Sequence, residues 1–371
     1  MLTQEGCRAR QNRMLAQIAD QGWDLFVTAN YRTVYYFTGL LGNPTDPCVF
    51  ALFDGGRSFV ITSTPAQQCL SEHIPLETYS IKRSINEPVR DTANALDAAL
   101  EQDIDLRFVG AERSSLPAQL EEVIVRHCPD HPIEDATLDI LQLRKHKEPD
   151  EVAEIRASLR YCAIAYDAAR KTIAPGLTEC DVYSAMYAAI VREAGTSIPF
   201  PGDFACGARG IKGGGPPTIR VIKPQDLYIL DLFPEPALYF ADTCRTFAVG
   251  TPTGDQVRAH EIVRKALRTA EEAIRPGIKA RDIYWLVKNY LDSEPLSRNS
   301  FWHHAGHGIG HHGHEAPRII PGSEDVFEVG DVFTLEPGIY GDHLQGGIRL
   351  EDNYLLTESG LQNLFEYPMA L

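Results

Sequence analysis

The sequence predicts an α+β protein of two domains, in which the second domain is built from two similar halves. Apolar runs alternate with helical segments in the first 140 residues, a charged segment follows, and two pairs of matching segments lie beyond it. With 371 residues, the chain is long enough for two domains that each have a core. We expect residues 1–145 to form the first domain and residues 146–371 the second.

The first domain is predicted to be α/β, because short apolar runs alternate with segments of helical periodicity. Gly55 and Gly56 separate two of the runs and predict a hairpin turn. Near the boundary, Asp150 precedes a Glu-rich turn, which predicts a helix start there. The predicted strands are 24–30, 48–54, 58–63 and 107–112, and the predicted helices are 93–100 and 116–127.

Two segments of the second domain share a pattern of residues. IAPGLTECDVY (173–183) and IRPGIKARDIY (274–284) agree at Ile, Pro, Gly, a branched aliphatic residue, Asp, Val or Ile, and Tyr. Each has a Pro-Gly turn ahead of a helix that is predicted to begin near Asp181 or Asp282. The two segments are therefore interpreted as the same structural piece.

Two strands that end in a carboxylate form a second matching pair. QDLYILD (225–231) matches GDVFTLE (330–336), and another acid follows each strand, Asp242 in ADTCRT and Glu351 in IRLED. Two matches in the same order and at similar offsets indicate a duplicated half-domain. If the halves meet about an approximate two-fold axis, the four carboxylates converge, which predicts a dinuclear metal site.

Composition limits the class of function. The formal charge of −16 argues against a nucleic-acid binder and against anchoring on anionic membranes. Eight scattered cysteines without a CxxC pair are typical of reduced thiols. No apolar run opens the chain and none approaches about 18 residues, so neither a signal peptide nor a membrane span is expected. We expect a cytoplasmic protein.

Half of the twelve histidines lie in FWHHAGHGIGHHGHEAP (301–317). A metal-scavenging surface tract is one interpretation of this density. Four interleaved glycines favour a folded site, because glycine is used where the backbone turns or approaches another group closely. Together with the paired carboxylates, this segment is predicted to contribute to the metal site.

Five residues carry a resemblance to the pita-bread metallopeptidases, which include methionine aminopeptidase, aminopeptidase P, prolidase and creatinase. The resemblance covers the chain from about residue 145 to the end, and YYFTG (35–39) is similar to the small domain of the aminopeptidase P, prolidase and creatinase branch. It implies a pita-bread catalytic domain with pseudo-two-fold halves, preceded by a creatinase-like N-terminal domain. The five residues are Asp231, Asp242, His307 in AGHGIG, Glu336 in TLEPG and Glu351 in GIRLED.

The resemblance implies that these five residues bind two divalent metal ions. Asp231 would chelate one ion, His307 and Glu336 would bind the other, and Asp242 and Glu351 would bridge the two. Four carboxylates and one imidazole suit Mn²⁺ best, with Co²⁺, Fe²⁺ and Zn²⁺ as alternatives. Two such ions would lower the pKa of a shared water and polarise the scissile carbonyl. The resemblance also implies a peptide or other small molecule as substrate, and a homodimer.

Further residues have counterparts in the family. His314, in HEAP, would donate a hydrogen bond to the substrate carbonyl or its developing oxyanion. Glu336 would shuttle a proton to the leaving nitrogen. His303 would line the substrate pocket, and Arg349 would order a bridging acid or meet a substrate carboxylate. Arg245 would orient the metal ligands by hydrogen bonds, without binding the metal itself.

One position departs from the family pattern. The peptidases usually carry a histidine upstream of the first aspartate ligand, and here that position falls near Gly214, in IKGGGPPT (211–218). The leading hypothesis is a hydrolase of the aminopeptidase P or prolidase type that cleaves an Xaa-Pro or related amide bond. The missing histidine favours, as an alternative, a creatinase-like C–N hydrolase or a metal-dependent lyase. A non-catalytic peptide-binding module is a third hypothesis.

Overall fold

The structure is a computed structural model, and it describes residues 1–42, 44–65, 69–76, 87–101 and 106–371. The chain divides into two compact units. Residues 1–144 and 148–150 form the first unit, and residues 145–147 and 151–371 form the second.

The described residues of the first unit form a mixed sheet with helices on its faces. Its elements are α1 (Gln4–Gln21), β1 (Leu25–Thr28), α2 (Tyr31–Thr38), β2 (Val49–Phe53), β3 (Ser58–Thr62), β4 (Glu72–Pro75), α3 (Pro88–Leu100), β5 (Val109–Ala111), α4 (Ala118–His127), β6 (Glu134–Asp135) and α5 (Thr137–Lys145). The strand order is β4-β3-β2-β1-β5-β6. Strand β1 pairs antiparallel with β2 and parallel with β5.

Strand β1 shows why the sheet buries both faces. Leu25 and Val27 pack into one core together with α3 and α4, whereas Phe26 packs into a second core together with α1 and α2. Successive side chains of a strand point to opposite faces, so a continuous apolar run supplies both cores. The four predicted strands, the hairpin between β2 and β3, and the two predicted helices are confirmed. Helices α1 and α2 were not predicted.

The second unit contains three sheets and four helices. The helices are α6 (Pro149–Thr172, in this unit from residue 151), α7 (Glu179–Ala194), α8 (Gly254–Ala273) and α9 (Ala280–Ser293). The strands are β7 (Gly202–Cys206), β8 (Leu227–Leu232), β9 (Thr243–Ala248), β10 (His307–Gly308), β11 (Glu315–Arg318), β12 (Val332–Leu335), β13 (Gly338–Gly341), β14 (Gly346–Arg349), β15 (Asp352–Thr357) and β16 (Gly360–Asn363). The sheet orders are β7-β8-β9, β11-β10-β12-β15-β16 and β13-β14.

The matching segments form equivalent pieces of structure. Gly176 and Gly277 have φ values of 94° and 90°, and each precedes a helix, α7 or α9. Both helices begin two residues before the predicted aspartates. The reason is visible at α7, where Asp181 is the third helical residue and accepts a 2.7 Å hydrogen bond from the amide of Thr178 ahead of the helix.

Strands β8 and β12, which have a carboxylate at or just after the last residues, are also equivalent. Strand β8 pairs with β9, and β12 pairs with β15, both antiparallel. An isolated bridge between Cys244 of β9 and Glu351 links the two pairs. The chain therefore brings the ends of both strand pairs to one location, which is the convergence that the duplication predicted.

All eight cysteines lie in described parts of the chain, and each is a free thiol. None of the helices that the structure describes combines the length and the apolar character needed to cross a bilayer.

Candidate metal centre

The five predicted ligands converge in the second unit. Each is buried, with at most 5% of its surface exposed. Cys244 explains part of this convergence, because it lies opposite Asp231 in the β8–β9 register and opposite Glu351 in the isolated bridge. The ligands sit within or just beyond short strands: Asp231 in β8, Asp242 before β9, His307 in β10, Glu336 after β12 and Glu351 before β15.

His307 lies between carboxylates from both halves. Its Nε2 is 3.5 Å from Oδ2 of Asp242 and 3.4 Å from Oε1 of Glu336. Donor atoms of Asp242, His307 and Glu351 all lie within 4.8 Å of one another. The Nδ1 of His307 is 3.0 Å from the carbonyl oxygen of Gly308, which leaves Nε2 directed at the carboxylates.

Glycines allow the backbone around His307 to pack this closely. A Cβ on Gly306 would lie 2.0 Å from the carbonyl oxygen of Thr334, and one on Gly308 would lie 2.0 Å from that of Ala316. This confirms the interpretation of these two glycines as close-approach positions.

The carboxylates fit a cation site. Five of their buried oxygens have no hydrogen-bond partner among the described residues: Oδ1 of Asp231, Oδ1 of Asp242, Oε1 of Glu336 and both oxygens of Glu351. A buried carboxylate oxygen without a partner costs about 1–3 kcal/mol or more. Divalent cations would satisfy these oxygens and neutralise the cluster, so the residues present fit the metals that the resemblance implies.

Three of these acids resist ionisation without a counter-charge. Burial raises the pKa of Asp231 to about 6, against the lowering effect of Arg349. Burial, and then the charges of neighbouring carboxylates, raise the pKa values of Asp242 and Glu351 well above their ordinary values. A bound cation would reverse these shifts, because it favours the charged form of each acid.

Glu336 behaves differently. Burial opposes ionisation of this side chain, but the adjacent imidazole of His304 and the further histidines lower its pKa below the ordinary value. Burial lowers the pKa of His307 to about 4. At neutral pH His307 is therefore an uncharged imidazole, which is the form that binds metals.

Three further histidines surround the carboxylates. His303 has Nε2 2.8 Å from the hydroxyl of Tyr340, and burial lowers the pKa of His303 to about 4. The ring of His314 lies 3.9 Å from that of His307. His304, which sequence reasoning missed, has Nδ1 only 2.9 Å from Oε1 of Glu336. Its position among six clustered histidines was the available signal.

Two arginines donate hydrogen bonds to predicted metal ligands. Arg349 donates to the carboxylate of Asp231, to Oδ2 of Asp203 at 3.1 Å and to the carbonyl of Gly213 at 3.1 Å. Arg245 donates to Oδ1 of Asp352 at 2.7 Å and to the carbonyl oxygen of Glu351 at 2.8 Å. Arg349 thus contacts the side chain of the predicted ligand Asp231. Arg245 contacts the backbone of the predicted ligand Glu351.

The glycine loop around Gly214 is packed against Asp203. A Cβ on Gly214 would lie 2.1 Å from the Asp203 carboxyl group. The amide of Gly215 donates a 2.8 Å hydrogen bond to Oδ1 of Asp203. Asp203 therefore occupies the space next to this backbone, and a side chain on Gly214 would displace it.

A cavity of about 490 Å³ opens over the centre. This volume is typical of a site for a small molecule or short peptide, about 300–1,000 Å³. The five predicted ligands, His303, His314 and Arg349 all line it, together with Asp203, Lys212, Gly213, Gly214, Gly215, Phe233, Trp302 and His304.

The match to a protein family decides the class of this site. Residues 153–358 match metallopeptidase family M24. The chain belongs to metallopeptidase family M24. Residues 10–146 match the creatinase/prolidase N-terminal domain. Since M24 metallopeptidases bind divalent metals, the carboxylate cluster has a counterpart in the chemistry of the family.

Relatives of this M24 protein match it over nearly its whole length. An uncharacterized peptidase of Staphylococcus aureus (strain USA300) is 28% identical over 95% of this chain and 96% of its own. The prolidase from Pyrococcus horikoshii OT3 is 23% identical with a TM-score of 0.81, over 98% of this chain and 100% of that one. The Xaa-Pro dipeptidase from Bacillus anthracis is 23% identical with a TM-score of 0.83, over 98% and 99%.

The pita-bread fold and the creatinase-type N-terminal domain are thus confirmed. The M24 protein is a metallopeptidase-type hydrolase. This finding argues against the non-catalytic hypothesis.

Proposed function

We propose that this M24 protein is a dinuclear-metal-dependent hydrolase of the aminopeptidase P or prolidase type, which cleaves Xaa-Pro or related amide bonds. The observation that carries the proposal is the set of five unpartnered carboxylate oxygens around His307, at the floor of a cavity of about 490 Å³. The structural neighbours include a prolidase and an Xaa-Pro dipeptidase, which supports the substrate class.

Asp231, Asp242, His307, Glu336 and Glu351 are the residues that would hold the metals. Two divalent cations there would supply Lewis acidity, which makes water a nucleophile at neutral pH and polarises the scissile carbonyl. Because four of the five proposed ligands are carboxylates, which are hard oxygen donors, they favour Mn²⁺, with Co²⁺, Fe²⁺ and Zn²⁺ as alternatives.

In the hydrolysis, the water oxygen bonds to the carbonyl carbon, the C–N bond breaks, and a proton reaches the leaving nitrogen. Glu336 carries that proton, because its carboxylate lines the cavity in which the substrate would bind. His314 donates from its ring to the carbonyl oxygen as negative charge develops there. The exposed position of His314 at the cavity supports this role.

Substrate contacts are proposed for the cavity walls. His303 is held by Tyr340, and its ring packs against that of Trp302 with centroids 5.3 Å apart. These rings, with Phe233, form the apolar wall that a prolyl or other apolar side chain needs. Arg349 already donates to Asp203 and Asp231. These contacts support a role for Arg349 in ordering an acid of the site, but that acid is Asp231 and not one of the two predicted bridging acids, Asp242 and Glu351.

The decisive assay measures release of the N-terminal residue from Xaa-Pro dipeptides and from longer Xaa-Pro peptides, using metal-loaded protein. Asp242→Asn should abolish both turnover and stoichiometric metal binding. Asp255→Asn, which makes the same chemical change at an exposed helix start, should leave both intact. Absence of turnover on every Xaa-Pro substrate by well-loaded wild-type protein would reject the proposal.

The glycine loop supports one other candidate function. Because Gly214 and Asp203 occupy the region where the peptidases usually carry a histidine, the substrate amide or its leaving group would meet different chemistry there. A C–N hydrolase or a metal-dependent lyase for a small metabolite fits such a change. Incorporation of oxygen from labelled water into the product separates them, since a lyase incorporates none.

Homodimerisation and a cytoplasmic location stay predictions from the sequence. Light scattering of the purified chain tests the first, and fractionation of cells tests the second.

A further inference from the structure

His304 is the one cavity histidine that the family resemblance does not assign. It lies in the loop before β10, and the backbone on its C-terminal side is paired on both edges. The amide of Ala305 donates to the carbonyl of Ile319 at 2.9 Å, and the amide of Glu336 donates to the carbonyl of Ala305 at 3.0 Å. Since the second bond ties this loop directly to Glu336, the imidazole of His304 is held beside that carboxylate.

The contact between His304 and Glu336 is close, but it lacks the angles of a normal hydrogen bond. Nδ1 and Oε1 are 2.9 Å apart, yet each is buried and neither has a partner in hydrogen-bond geometry among the described residues. A buried imidazole nitrogen and a buried carboxylate oxygen that face each other at this distance are the arrangement expected of two ligands to one cation.

The distances around Oε1 of Glu336 agree with this arrangement. Two ligand atoms on one metal lie about 3.0 Å apart when bonds of about 2.1 Å meet at a right angle, and about 3.4 Å apart at the tetrahedral angle. From Oε1, Nδ1 of His304 is 2.9 Å away and Nε2 of His307 is 3.4 Å away. Both separations fall at neighbouring ligand positions.

We infer that His304 is an additional nitrogen ligand of the cation bound by His307 and Glu336. This inference rests on the proposed metal centre and adds a sixth protein ligand to it. It makes the two metal positions unlike: the position at His307 has two imidazoles, whereas the position at Asp231 has only oxygen ligands. Nitrogen ligands shift selectivity toward Zn²⁺ and Co²⁺ and away from Mn²⁺, so the first position prefers Zn²⁺ or Co²⁺.

A different role for His304 makes the opposite prediction. If His304 were only a cation paired with the Glu336 carboxylate, its positive charge would compete with the metal. Its removal would then leave metal binding unchanged or make it tighter. The sign of the change in affinity therefore separates a ligand from an ion-pair partner.

The test compares Zn²⁺ binding by wild type, His304→Gln and the control His343→Gln, using competition with a chromophoric chelator. His343 is an exposed histidine outside the cavity. We expect His304→Gln to raise the Zn²⁺ dissociation constant at one of two sites at least tenfold, with a smaller effect on Mn²⁺, while His343→Gln matches wild type. Unchanged or tighter Zn²⁺ binding in His304→Gln would overturn the inference.

A second measurement needs no variant at the site. In wild-type protein loaded with the spin-one-half isotope of cadmium, NMR detects scalar coupling between the metal and the ring protons of each bound imidazole. Coupling of one metal ion to the ring protons of both His304 and His307 supports His304 as a ligand, and coupling to His307 without His304 overturns it. If wild type bound no metal at all, the proposed centre itself would fail, which is a distinct result.

Discussion

The carboxylate of Asp203 lies 3.1 Å from the guanidinium of Arg349 and at the point that a side chain on Gly214 would occupy. A single acid thus excludes a side chain from the loop and anchors the arginine that also contacts Asp231. Position 214 therefore has no room for a histidine side chain while Asp203 keeps this position.

This arrangement predicts non-additive mutations. Gly214→Ala should lower the free energy of unfolding by about 1–3 kcal/mol, because its Cβ overlaps Asp203. In an Asp203→Ala background, the same change should cost much less, since the obstructing carboxyl group is gone. Urea denaturation of the four proteins measures the coupling. Gly322→Ala is the control, because a Cβ there meets nothing within 4 Å. Additive effects would contradict the packing argument.

Glu351→Gln should change stability in opposite directions with and without metal. In chelator at pH 8, the amide replaces a buried carboxylate whose two oxygens have no partner among the described residues, and should raise the free energy of unfolding by about 1–3 kcal/mol. With saturating metal, the wild type gains about 2.7 kcal/mol at a hundredfold excess over the dissociation constant, and the variant should lose that gain. Thermal unfolding in both conditions is the measurement. A Glu351→Gln variant that is less stable than wild type in chelator would contradict the proposal that Glu351 is a metal ligand.

Arg245→Met should destabilise the second unit strongly. The side chain is 1% exposed, and its loss leaves the carboxylate of Asp352 buried without this partner, at a cost of about 3–5 kcal/mol. Asp352→Asn should recover part of the loss in the double variant. Arg258→Met, which breaks an ion pair whose arginine is 70% exposed, should cost less than about 1 kcal/mol. Denaturant unfolding compares them, and equal costs at the two arginines would refute the prediction.

His260 should make stability depend on pH. Burial lowers its pKa to about 4 from an ordinary value of 6.5. Below pH 6.5 the unfolded chain takes up a proton that the folded protein resists, so stability is full above pH 6.5 and falls between pH 6.5 and 4. At pH 5 this effect is about 2 kcal/mol. His260→Gln should lose that much less stability than wild type between pH 7.5 and 5, both measured in chelator. An identical loss in the two proteins would show that His260 is not responsible.

Short-range patterns in the sequence were sufficient for most of the fold. Four of the six described strands of the first unit followed from apolar runs, and the duplication of the second unit followed from two pairs of matching segments. Helices α1 and α2 were missed because neither shows a clear helical spacing of apolar residues among polar ones. Helix α1 carries many charged residues. Helix α2 is short and consists largely of aromatic and β-branched residues, which have a lower helix propensity.

The sequence by itself determined which acids and which histidine segment converge, because the duplication places carboxylates at equivalent positions of two halves, and these positions come together where the two halves meet. Tertiary structure alone decided the surroundings of these groups. That His304 faces Glu336, and that Asp203 fills the space beside Gly214, depends on loops whose paths are set by backbone hydrogen bonds to distant strands. Such contacts join residues far apart in the chain, and no local periodicity encodes them.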